Sequence, residues 1–226
     1  MTSTQNYHEH LVSVTAGDVK LEGNLVIPDN ATAIVIFAHG SGSSRHSPRN
    51  RYVAKVLQNA GLANLLIDLL TPDEEAIDLR TRHLRFDIEL LASRLVDSTD
   101  WLAQNPHTLH LKVGYFGAST GGGAALVAAA KRPQSVKAVV SRGGRPDLAG
   151  SALPHVKAPT LLIVGGYDIQ VIEMNEDALK QLRTQKRLEI VPRATHLFEE
   201  PGALETVAQL ASEWFTRYLT YNNFEC

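Results

Sequence analysis

The chain has 226 residues, 44% of them hydrophobic and 20% charged, with a formal net charge of -2. That length suits a single α/β domain with a sizeable core, and the near-neutral balance argues against a nucleic-acid partner, which would need a strong basic excess. No apolar run approaches the roughly 20 residues that span a bilayer, so no membrane partner is expected either.

The chain starts "MTSTQNYHEH", with no cationic start and no apolar h-region, so no secretory signal is read. "LVSVTAGDVKLEGNLVIP" (11–28) alternates apolar and polar residues around "AGD", the pattern of an antiparallel hairpin at a sheet edge. "AIVIFA" (33–38) is an apolar, β-branched strand ended by "HGSGSS", and 48–60 has helical spacing at Tyr52, Val53, Val56 and Leu57. "ANLLIDL" (63–69) reads as a buried strand. Leu84, Ile88, Leu91, Leu95 and Leu102 predict one long helix over 79–104. Strands follow at 111–116, 136–141, 158–165 and 187–192, with helices at 120–131, 171–183 and 203–220. Near-continuous apolar strands separated by helices predict an α/β fold, a mostly parallel central sheet with helices on both faces. No linker or repeat divides the chain, so 1–226 is read as one domain. The single cysteine, Cys226, can form neither an internal disulfide nor a Cys-type zinc site, which favours a cytoplasmic setting.

"GYFGASTGGGAAL" (114–126) fits two motifs. As G-x-S-x-G, Gly117-Ala118-Ser119-Thr120-Gly121 lies between a predicted strand and a predicted helix, the setting of a nucleophile elbow. As G-x-x-x-G-x-G, it matches the nucleotide turn of short-chain dehydrogenases, which also need Y-x-x-x-K. None of the six tyrosines is followed by lysine four residues on, so no nucleotide cofactor is expected.

A serine nucleophile needs a base, and the base needs an orienting carboxylate. Asp168 follows the strand "PTLLIVGG", and His196 lies in the loop after "RLEIVP". Each follows a predicted strand, at the carboxyl edge where open α/β sheets place their sites. The order Ser119, Asp168, His196 is that of α/β-hydrolases. Asp147, after the strand ending at Ser141, is the rival acid. The glycine-rich loop "FAHGSGSSRHSP" offers a backbone amide, at Ser41, to pair with that of Thr120 as an oxyanion hole. His39 is read as a buried support for this loop.

"FAHGSG", "GYFGASTGGG", "PTLLIVGGYD" and "THLFEEPG" resemble, in order and over essentially the whole chain, the α/β-hydrolase superfamily and its dienelactone-hydrolase-like branch. The resemblance implies nucleophile Ser119, base His196, acid Asp168 and oxyanion amides at Ser41 and Thr120. Dienelactone hydrolases themselves use a cysteine nucleophile helped by a glutamate in the first loop. Here position 119 is serine and loop 39–47 has no carboxylate. The expected function is therefore a serine esterase acting on a small acyl substrate, with no cofactor and no metal. The alternatives are a non-catalytic binder of small ligands on the same fold, or a lactone hydrolase. Arg45, Arg51, Arg142 and Arg145 are candidate contacts for a substrate anion, against ordinary surface ion pairs. Only sixteen residues, Arg142 to Lys157, separate the strand after the nucleophile helix from the next, so no lid domain of several helices is expected.

Overall fold

A computed structural model describes residues 8–220. The chain builds strands β1 (Glu9–Ala16), β2 (Val19–Val26), β3 (Ala33–Ala38), β4 (Ala63–Ile67), β5 (Lys112–Ala118), β6 (Val136–Arg142), β7 (Thr160–Gly165) and β8 (Lys186–Val191). Its helices are α1 (Pro48–Asn59), α2 (Pro72–Thr81), α3 (Ile88–Gln104), α4 (Thr120–Lys131), α5 (Ile169–Gln181) and α6 (Ala203–Phe215). One eight-stranded sheet has the order β1-β2-β4-β3-β5-β6-β7-β8. β1 and β2 form an antiparallel hairpin, β2 meets β4 antiparallel, and every later pairing is parallel.

The strands are apolar on both faces because helices cover both. In β3, Ile34, Ile36 and Ala38 join a core shared with α3 and α4, while Ala33, Val35 and Phe37 join a second core shared with α1 and α6. The period of two in β3 thus divides one strand between two hydrophobic layers.

The helix expected over 79–104 is broken. α2 ends at Thr81, its capping residue Arg82 has a left-handed backbone (φ 56°), and a short 3-10 turn, Leu84–Phe86, precedes α3. The cause is polar. The buried Asp78 carboxylate accepts from the amides of Leu84 and Arg85, and the Asp87 side chain caps α3 by accepting from the Leu90 amide. These local bonds compete with continued helix, and the leucine spacing carries no sign of them. The last predicted helix also ends early: after Phe215 the chain makes one π turn, Thr216–Thr220. The interval before β7 holds a 3-10 segment, Pro146–His155, kinked at Gly150, and no multi-helix lid. Among the described residues, no helix is long and apolar enough to cross a membrane.

Candidate active site

β5 runs into Ser119, and α4 starts at the next residue. Ser119 has φ 51° and ψ −122°, a conformation that costs a non-glycine residue on the order of 1–3 kcal/mol. Backbone bonds hold it there. The Ser119 amide donates to the Arg142 carbonyl (3.2 Å), and the Ser119 carbonyl accepts from Gly122 (2.9 Å) and Arg145 (3.0 Å). The flanking glycines permit the close approach. A Cβ on Gly117 would lie 2.4 Å from the Gly121 carbonyl oxygen, and one on Gly121 would lie 2.4 Å from that of Ala38. Any side chain at either position would push α4 off the sheet.

Asp168 ends the turn after β7 and is the N-cap residue of α5. His196 comes from the loop after β8, and its Nδ1 lies 2.6 Å from Asp168 Oδ2. With Nδ1–H donating to the carboxylate, Nε2 is left free of that proton. Asp147 makes no such contact; both its oxygens accept from Arg145, at 2.9 and 2.7 Å. Ser119 and His196 line one open cleft of about 270 Å³, together with Ser41, Arg49, Asn50 and Arg142.

The loop after β3 is anchored from beneath by His39. The Leu69 amide donates to His39 Nε2 (3.0 Å), so the ring proton sits on Nδ1, 2.9 Å from the Gly40 carbonyl oxygen. Burial lowers the His39 pKa, against the opposing pull of the Gly40 bond and of Asp68 and Glu75. The ring is therefore a neutral brace. The Ser41 amide donates to Thr120 Oγ1 (2.9 Å), so the loop is tied to the first turn of α4 beside Ser119. Sequence reading treated both residues as amide donors and missed this side-chain bond.

The four candidate arginines have different surroundings. Arg45 is paired with Glu22 and Asp68. Arg51 is paired with Glu9 at 2.8 Å in a separate groove, and Arg145 is held by Asp147. Arg142 alone of the four lines the cleft, and it is buried there. The sequence reading passed over Arg49 and Asn50. Their signal was available, since they open the helix that follows the glycine-rich loop. Among the described residues, no group of three or more His, Cys, Asp or Glu is placed to hold a metal ion.

The sheet order and the elbow define an α/β-hydrolase. The dienelactone hydrolase family model matches residues 21–221, and the chain belongs to that family of hydrolases. A crystal structure of dienelactone hydrolase from Anabaena variabilis is 79% identical, covers 94% of this chain and 99% of its own, and superposes with a TM-score of 0.93. Est1E from Butyrivibrio proteoclasticus shares the fold at 17% identity, with a TM-score of 0.76 and coverage of 92% and 98%. A curated Mycobacterium tuberculosis protein with the provisional name phosphoribosyl transferase is 62% identical over 92% of this chain. The chain spans only 46% of that relative's length.

Proposed function

We propose that the chain is a serine hydrolase that cleaves a small carboxylic ester or related acyl compound, with Ser119 as nucleophile, His196 as base and Asp168 as the orienting acid. The observation that carries the reading is the strained Ser119 elbow opening on the same cleft as a histidine held by a carboxylate at 2.6 Å. His196 Nε2 takes the Ser119 Oγ proton as Oγ bonds to the acyl carbon. The carbonyl electrons move onto oxygen, which the amides of Thr120 and Ser41 stabilise, the Ser41 N–H turning from Thr120 Oγ1 to the substrate. The tetrahedral species collapses, the alcohol leaves with the proton from His196, and an acyl-enzyme remains. Water, deprotonated by the same Nε2, repeats the sequence and frees the acid. Backbone donors of this kind lower the barrier by about 3–4 kcal/mol each in comparable sites.

Serine at position 119 and the lack of a carboxylate in loop 39–47 favour general ester cleavage over lactone opening. The phosphoribosyl transferase name belongs to a relative about twice as long and carries no reading of this cleft. A fluorophosphonate probe tests the proposal. Mass spectrometry should place the adduct on Ser119, and the Ser119→Ala variant should neither label nor turn over ester. An adduct on Ser41 or Ser43, or a folded protein that never labels, overturns it; the latter result is that of a non-catalytic binder.

A further inference from the structure

Arg94 and Arg142 are the buried arginines among the described residues. Arg94 is compensated, paired with Glu74 at 2.6 Å and donating to the Ala16 carbonyl. Arg142 is not. Its side chain reaches one acceptor, Asn50 Oδ1, at the long distance of 3.5 Å, and its Nε has no partner. The Phe198 ring, 5.8 Å from the guanidinium carbon, offers only a weak cation–π contact. The charge that bears on Arg142 most is of the same sign, Arg49, and burial together with that repulsion lowers its pKa to about 10. It is still a cation at neutral pH. A buried cation without an anion is costly, and natural proteins pair such groups.

The surroundings of Arg142 supply what an anion needs. The Arg142 carbonyl accepts from the Ser119 amide, so its backbone lies beside the nucleophile, and both residues line the same cleft. The N-terminal turn of α1 faces the same cleft through Ser47, Arg49 and Asn50, and that turn holds no acidic residue. A helix N-terminus and two guanidinium groups all favour negative charge at one place. No carboxylate lines the cleft. Two acids are bound to lining residues: Asp168 is held by His196 at 2.6 Å, and Glu199 lies 3.3 Å from Arg49 in a partly exposed pair, weak enough to yield to a ligand.

We propose that Arg142, assisted by Arg49 and the first turn of α1, binds an oxyanionic group of the substrate, a carboxylate or a phosphate, a few bonds from the ester that Ser119 attacks. This rests on the hydrolase reading of Ser119, and it names the class: esters that carry a negative charge on the acyl or alcohol part.

The test compares 4-nitrophenyl esters of equal length ending in a carboxylate, a phosphate monoester or a neutral methyl ester. Wild type should favour one of the anionic esters by roughly tenfold or more in kcat/KM, and the favoured arm identifies the oxyanion. Arg142→Met should remove that ratio, Arg142→Lys should keep part of it, and Arg49→Gln should reduce it. Arg51→Gln, in the separate groove, is the unaffected control. A second readout needs no turnover: glutarate or inorganic phosphate should raise the Tm of Ser119→Ala, and not of Ser119→Ala/Arg142→Met. If Arg142→Met fails to fold, the wild-type ratio and Arg49→Gln still decide. Ser119-dependent cleavage with no preference for charge and no anion-induced Tm rise overturns this proposal and leaves the hydrolase standing. Anion binding without any Ser119-dependent cleavage does the reverse.

Discussion

The loop after β3 separates two cavities, and Gly40, Ser41 and Ser43 line both. On one side, toward α2, the space is small, about 30 Å³, and carries Asp68, Glu75, Asp78 and Arg85. There the buried charge is matched: Arg85 is bound to the buried Asp78, which also takes two backbone amides, and Asp68 is paired with Arg45. Burial alone would raise the Asp78 pKa, but the Arg85 hydrogen bonds outweigh it and the pKa is lowered. On the other side lies the larger cleft, with Ser119, His196 and an uncompensated arginine. The matched side holds the loop in place. The unmatched side has charge left over, which is what a binding surface needs and a structural contact does not.

The sharpest way to break this comparison is to disable the cleft without touching the other side. Asp168→Asn should lower kcat by about 10⁴-fold, because the amide favours the wrong imidazole tautomer, while leaving the melting temperature nearly unchanged. If Asp147→Asn is the severe variant instead, the acid is misassigned. The converse variant is Asp78→Ala. It strands Arg85 and two amides, and should cost on the order of 2–4 kcal/mol in urea unfolding, far more than it changes the chemistry of Ser119. A stability change within 0.5 kcal/mol, roughly that of an ordinary surface substitution, would remove the structural role given to the closed side.

A smaller effect concerns the openness of the cleft. With no multi-helix lid to cover a long chain, kcat/KM should fall by about tenfold from 4-nitrophenyl acetate or butyrate to palmitate, with detergent held constant. Rates that climb to the longest chain would make the α2 region a lid.

The smallest effect is a pH dependence from His39. The folded ring resists protonation while the unfolded one accepts a proton near its reference pKa of about 6.5. Below that value the unfolded state binds more protons, so stability falls as pH falls through 6.5 towards the folded pKa. Equilibrium unfolding between pH 7.5 and 5 should show this slope in wild type and a shallower one in His39→Gln. Equal slopes would mean the ring is not the neutral brace described.

The parallel sheet, the edge hairpin and the place of Ser119 were legible because they rest on local pattern: continuous apolar strands, alternation around "AGD", and glycines where α4 crosses β5. The meeting of Asp168 and His196 was readable from strand ends and chain order. The break at residue 82 was not, since it depends on where one buried carboxylate, Asp78, points. The sorting of the arginines was hidden for the same reason. Arg142 and Arg145 stand three residues apart in "SRGGRPD"; Asp147, two residues on, pairs with Arg145, and only the fold shows that Arg142 is buried with no acid beside it. The Ser41 bond to Thr120 Oγ1 joins residues 79 positions apart, beyond any local signal.

The sheet order also dictates when the molecule becomes competent during folding. Ser119 hangs from β5, Asp168 from β7 and His196 from beyond β8, the outermost strand on that side, with β6 between β5 and β7. Parallel neighbours must each be reached through a long crossover, and such non-local pairings form slowly. Residues 8–185 can collapse around β3 and β5 and still lack the histidine. In a refolding experiment, secondary structure should therefore return ahead of probe labelling at Ser119, and labelling should appear only as β8 docks on β7. Enzymatic competence then serves as a clock for the last strand to arrive.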